Sequence, residues 1–170
     1  MVKHKKIAIV AADSDWAIGK DNDLLYRLPE DMKFFRETTK GAIVIYGYNT
    51  LLSFPGAKPL PGRTNIVVCP DTVDRDGIRT AHDLDEIDTI LASIADDRPA
   101  FICGGASIYA QLIDTCDAAY VTKVAASTPG ATAFFPDLDA RDGWTCCEEG
   151  AEAETSTGYR IKFTKYKRTV

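Results

Sequence analysis

Leu28-Pro29-Glu30-Asp31-Met32-Lys33-Phe34-Phe35-Arg36 is the segment on which the reading of this chain turns. At helical spacing Leu28, Asp31, Met32 and Phe35 share one face, while Glu30, Lys33 and Glu37 point elsewhere. Pro29 suits the first turn of a helix, where its missing N–H has no helical partner, so the spacing predicts a helix from Pro29 to about Thr39, stopped by Gly41. A carboxylate therefore stands in the apolar stripe, in a first turn whose dipole favours negative charge. An unpaired buried carboxylate is costly. Asp31 either finds a partner within the protein or is held for something that binds there.

Outward from this helix the chain alternates apolar runs with amphipathic segments. Ile7 to Ala12 reads as a strand buried on both faces, followed by a polar loop from Asp13 to Asp23 that is longer than a plain connection requires. Ala42 to Tyr46 is the next strand, Tyr48 to Leu52 a short helix, and Asn65 to Cys69 a further strand. Leu84, Ile87, Leu91 and Ile94 recur at helical period within Asp83 to Ala95. Ala100 to Cys103 is a strand, Gly104-Gly105 opens a helix through Ile113, and Ala119 to Ala125 is a strand. Trp144 to Cys147 and Tyr159 to Tyr166 alternate as an antiparallel pair. This order predicts an α/β fold over residues 1–170 as one domain, with a central, mostly parallel sheet, an antiparallel C-terminal edge and flanking helices. Ligands of such sheets bind beyond the carboxyl ends of the strands.

Composition narrows the function. A formal net charge of -5, with basic residues clustered only at the two ends, argues against a nucleic-acid surface. Ile7 to Ala12 is too short for a signal core or a membrane span, so the chain is expected to remain in the cytoplasm with no membrane partner. Five cysteines (Cys69, Cys103, Cys116, Cys146 and Cys147) without a Cys-x-x-Cys pair are read as reduced thiols, with no structural metal.

Chemistry concentrates where glycines join strands to helices. Gly47 precedes Tyr48-Asn49-Thr50, and Gly104-Gly105 precedes Ala106-Ser107-Ile108-Tyr109. Free N–H groups at such junctions can take a phosphate, and the alternative is tight strand-to-helix packing. Neither junction matches a dinucleotide fingerprint or a P-loop. Arg63, after Pro61-Gly62, is either a carboxylate-binding guanidinium or an ordinary surface arginine.

Together these residues resemble dihydrofolate reductases over nearly the whole chain. The resemblance is carried by Ile18-Gly19-x-x-Asn22, the Leu28 to Phe35 segment, Gly47-x-x-Thr50, Leu60-Pro61-Gly62-Arg63, Cys103-Gly104-Gly105-x-x-x-Tyr109, Tyr120-Val121-Thr122 and Phe135-Pro136. It implies hydride transfer from NADPH to the pteridine of dihydrofolate, giving tetrahydrofolate. Asp31 would hydrogen-bond the pterin and assist its protonation, Thr122 would support Asp31, and Tyr26, grouped with them as catalytic, stands where many bacterial members carry tryptophan, so that water organisation there would differ. Ile9, Met32, Phe35, Phe54, Leu60 and Cys103 would line the substrate site, with Arg63 on the glutamate α-carboxylate and Lys58 near that tail. Ala11, Ile18 and Gly19 would flank the nicotinamide. Gly47, Tyr48, Asn49, Thr50, Cys69 and the run Gly104, Gly105, Ala106, Ser107, Ile108 and Tyr109 would line the rest of the cofactor cleft. The loop from Asp13 to Asp23 would be a mobile lid, antifolates would be inhibitors, and the chain would act as a monomer.

Three departures bear on the cofactor. The family's basic residue after the first glycine is Tyr48 here, the arginine common after Ala106 is Ser107, and the ribose-phosphate contact after Cys69 is replaced by Pro70-Asp71. An acidic residue beside a ribose favours a free 2′-hydroxyl, so a weakened preference for NADPH over NADH is expected unless Arg79 or another basic group compensates. A reductase of another pterin or pyrimidine, and a nucleotide-binding homologue without catalysis, are the alternative readings.

Overall fold

A computed structural model describes residues 3–21 and 23–169. Asn22 of the first motif lies outside the described residues. The chain forms β1 (Lys6–Ala12), β2 (Ala17–Lys20), β3 (Asp23–Leu24), α1 (Pro29–Thr39), β4 (Ile43–Gly47), α2 (Tyr48–Ser53), β5 (Thr64–Val68) and β6 (Ile78–Ala81). It continues through α3 (Leu84–Ser93), β7 (Ala100–Ile102), α4 (Ala106–Leu112), β8 (Ala118–Val124), β9 (Ala133–Phe134), β10 (Trp144–Glu149), β11 (Ala153–Glu154) and β12 (Arg160–Arg168).

The large sheet runs β10-β12-β8-β1-β7-β4-β5-β6, with β11 beside β12. Pairings from β8 to β6 are parallel, and β12 joins β8, β10 and β11 antiparallel. The mixed sheet expected from the strand order is therefore present. Alternation along the central strands divides the core into two. Ala8, Ile43 and Ile45 face α3 and α4 in a cluster with Ile87, Leu91, Ile108 and Leu112. Ile7, Ile9, Val44 and Tyr46 face the other way, where Phe34, Phe35, Phe54 and Leu60 pack against them. Period-2 side-chain placement is what allows one sheet to bury two different layers.

Those two layers are not sealed equally. Within α1 only Thr39 is fully buried, Phe34 and Phe35 are half-buried, and Met32 is 51% exposed. The helix begins at Pro29 as expected, and Leu28 just before it is buried, but Met32 faces solvent rather than the sheet. An apolar helix face left partly open over a sheet forgoes roughly 25 cal/mol per Å² of burial, which a ligand can recover. This open layer above β1 and β4 is the cleft.

The stretch from Asp13 to Asp23 is not an open loop. Its β2 pairs antiparallel with β3 and with β9. Thr132 N–H donates to the Gly19 carbonyl at 3.0 Å, Phe135 N–H to that of Trp16 at 2.8 Å, and Ser14 N–H to that of Ala126 at 2.9 Å. Asp13, a buried carboxylate, accepts from the backbone N–H groups of Asp15 and Ala17, both at 2.9 Å. Sequence reading missed this second sheet because strands of two to four residues carry no periodic signal.

Candidate functional site

Asp31 sits in the first turn of α1, above β8. The Thr122 hydroxyl donates to Asp31 Oδ1 at 2.6 Å. Thr122 is buried at the register position beside Ala11 of β1, so its hydroxyl is fixed by the centre of the sheet. Burial raises the Asp31 pKa above the ordinary carboxylate value, and the threonine bond opposes that shift without cancelling it. A carboxyl tuned upward in a half-open cleft, with one oxygen paired and the other bearing no described partner, can exchange a hydrogen bond or proton with a ligand.

Around Asp31 the cleft is apolar. Ile9 is buried in β1, while Phe35, Phe54 and Leu60 are half-buried. Phe54 packs edge-on to Tyr46, with ring centroids 5.1 Å apart. Burial pushes the Cys103 thiol up to about 12, so it stays neutral, and its Sγ–H points to the Phe101 carbonyl. Tyr26, expected near the Asp31 carboxyl, has its described contacts elsewhere. Its hydroxyl bonds Thr128 and, at 3.3 Å, Asp13, and its ring packs on Tyr159 at 4.8 Å. Among the described contacts it reaches neither Asp31 nor Thr122. Tyr26 thus ties the Asp13 turn to the segment at Thr128.

At the far end of α1, Arg63 spans the gap between helix and loop. Its Nε donates to Thr39 Oγ1 at 3.1 Å, Nη1 to the Pro61 carbonyl at 2.8 Å and Nη2 to the Arg36 carbonyl at 3.1 Å. One N–H on each terminal nitrogen has no described partner, which suits a bidentate carboxylate. Arg63 also lines, with Lys58 and Leu60, a cavity of about 510 Å³. The residue that holds this loop escaped the sequence reading. Asn65 Oδ1 accepts from Leu60 N–H at 3.0 Å and from the Tyr46 hydroxyl at 2.7 Å, and its Nδ2 donates to the Leu60 carbonyl at 2.9 Å. A polar residue inside an apolar strand run was its only signal. Asn65→Ala leaves Leu60 N–H and the Tyr46 hydroxyl unpaired inside the protein and is expected to lower stability by about 2 kcal/mol, read from denaturant unfolding.

The carboxyl edge of the sheet forms the other half of the site. Gly47 N–H donates to the Gly104 carbonyl at 2.8 Å, joining the ends of β4 and β7. A Cβ on Gly47 would stand 3.3 Å from Ile108 and one on Gly104, at φ +111°, 3.2 Å from the Tyr109 ring, so tight packing accounts for both glycines. Gly105 is different, since its Cβ would meet only Thr50 Oγ1 at 3.7 Å. That open glycine face between Thr50 and Ala106 fits close passage of a dinucleotide backbone. Ile108 and Tyr109 are buried beneath it, the Tyr109 hydroxyl donating to the Ile9 carbonyl at 2.6 Å. Ala11, Ile18 and Cys69 are half-buried, Gly19 is buried, and Tyr48, Asn49 and Ser107 are exposed. The structure thus brings Asp31, Thr122 and Ala11 together at one end of the cleft and Gly47, Gly104 and Gly105 together along its edge.

Comparison with known proteins agrees with this geometry. A family model described as dihydrofolate reductase matches residues 6–168. The dihydrofolate reductase of Neisseria meningitidis serogroup B is 38% identical over 165 residues, covering 96% of this chain and 98% of that one. That of Bacillus subtilis is 32% identical over 162 residues, covering 94% and 92%. A solved structure of dihydrofolate reductase from Enterococcus faecalis, complexed with NADP(H) and RAB-propyl, superposes with a TM-score of 0.85 at 28% identity over 99% of both chains. With the cleft, the Asp31–Thr122 pair and the glycine edge in place, these matches show that the chain belongs to the dihydrofolate reductase family.

Proposed function

We propose that this chain reduces 7,8-dihydrofolate to 5,6,7,8-tetrahydrofolate with NADPH, and that Asp31 carries the pterin end of the reaction. The single observation that supports it most is the upward-tuned Asp31 carboxyl bonded by buried Thr122 in an apolar cleft that meets the glycine edge. Bound NADPH would supply the hydride to one atom of a pterin C=N bond. Asp31, fixed by Thr122, holds the pterin and favours protonation at the nitrogen of that bond, with water delivering the proton. Ile9, Phe35, Phe54, Leu60 and Cys103 exclude bulk water from the ring, and Met32 closes over it from the exposed side. Arg63 orients the glutamate carboxylate from the other end of α1. Ala11, Ile18 and Gly19 border the nicotinamide, and Gly105, Ala106 and Thr50 the phosphates.

Purified protein mixed with dihydrofolate and NADPH is expected to lose absorbance at the reduced-nicotinamide band in step with tetrahydrofolate formation. Absence of turnover with tight antifolate binding would leave a binding protein, and absence of both would sink the reading. The product feeds one-carbon transfer and nucleotide synthesis. Antifolates would occupy the pterin cleft. No helix among the described residues is long and apolar enough to cross a membrane. Five unpaired thiols support a reducing cytoplasm as the place of action.

A further inference from the structure

We infer that this chain does not read the ribose 2′-phosphate that distinguishes NADPH from NADH, and binds the two cofactors with comparable affinity; this rests on the function proposed above. The parallel register pairs Gly47 with Val68 and Val68 with Ala81, so β4, β5 and β6 end level with one another. The residues just past them, Tyr48, Cys69 and His82, therefore begin three adjacent segments at the sheet's carboxyl edge. That edge is where the adenosine half of a dinucleotide lies once its nicotinamide is beside Ala11.

A phosphate monoester brings nearly two negative charges and is met in proteins by arginine or lysine. None of the segments 48–53, 69–74 and 82–87 contains either residue, and their charged groups are acids, Asp71, Asp83 and Glu86 among them. His82 does not substitute. Its Nδ1 lies 2.8 Å from Glu86 Oε2 and its Nε2 2.8 Å from Thr72 Oγ1. Both nitrogens are thus engaged within the protein.

Basic residues nearby are aimed elsewhere. Arg79, the compensating group considered from sequence, pairs in register with Ile66, two residues before the end of β6. Its Nη1 donates to Ser93 Oγ at 3.0 Å, at the last residue of α3. Arg75 donates to the Ala57 carbonyl. Ser107 in α4 is bonded by Gln111 at 2.8 Å. A free 2′-hydroxyl, by contrast, is a donor that exposed Asp71 can accept from at no electrostatic cost.

Binding of NADPH and of NADH to the purified protein, followed by fluorescence titration, is the test, with ADP and its 2′-phosphorylated counterpart as probes of the adenosine end alone. The expected result is a pair of dissociation constants within tenfold of each other, and the same for the two fragments. NADPH binding more than tenfold tighter than NADH overturns the inference while leaving the proposed function intact. Binding of neither cofactor overturns that function, and this inference with it. Tyr48→Arg combined with Asp71→Ser is expected to shift the ratio at least tenfold toward NADPH; an unchanged ratio removes the ribose from this edge and refutes the assignment.

Discussion

Asp31→Asn is expected to lower kcat/KM for dihydrofolate about 100- to 1,000-fold near neutral pH, the range that loss of a positioned acid–base group produces. Asparagine keeps the shape and can still accept from the Thr122 hydroxyl, whose bond to Asp31 is 2.6 Å, so the cleft is not rebuilt. What disappears is the negative charge that draws a proton to the pterin. The pH profile of kcat/KM supplies the readout that a structural effect would not move: the bend set by Asp31 in the native protein is absent from the variant.

Stability is expected to move the opposite way. Burial raises the Asp31 pKa, so the ionised carboxylate is the form the fold disfavours. That cost is absent below the unfolded carboxylate pKa and fully present above the raised folded one. Asp31→Asn therefore melts at or above the native temperature at pH 7, and the difference closes as pH falls through the ordinary carboxylate range. A variant that loses both activity and stability would place Asp31 in the framework rather than in the reaction.

Arg63→Ala is expected to raise KM for dihydrofolate about 100-fold with little change in kcat. Loss of a bidentate charged contact accounts for roughly 2.7 kcal/mol, which corresponds to that factor. The side chain also bridges Thr39, Pro61 and Arg36, so the substitution loosens the loop as well. Dihydropteroate, which lacks the glutamate, separates the two effects. Its KM should move less than about threefold; an equal rise for both substrates would show that Arg63 serves the fold and does not hold the tail.

Helix α1 could be read almost to the residue because Pro29 and Gly41 punctuate it and its apolar spacing is local. The outward direction of Met32 could not, because half of the helix face covers a cleft instead of a core, and periodicity reports apolar spacing without reporting what covers it. Tyr26 illustrates the same limit. The family resemblance placed it near the reaction centre, and its hydroxyl partner Thr128 lies 102 residues away. Asn65 reads as one polar residue in a strand, and only the folded loop shows that it closes Leu60 and Tyr46 into one network.

Local spacing was enough to read the longer strands and helices of the large sheet, the family motifs and the chemical candidates, but not the short strands β2, β3, β9 and β11. Only the tertiary structure decided which candidates meet. Thr122 reaches Asp31 across 91 residues because the parallel sheet sets β8 beneath the first turn of α1, and β4, β5 and β6 share one edge because their register aligns Gly47, Val68 and Ala81. The physical reason is that local periodicity fixes which way each side chain leaves its own element, whereas charge, burial and hydrogen-bond partners are properties of neighbours that the chain brings together only on folding.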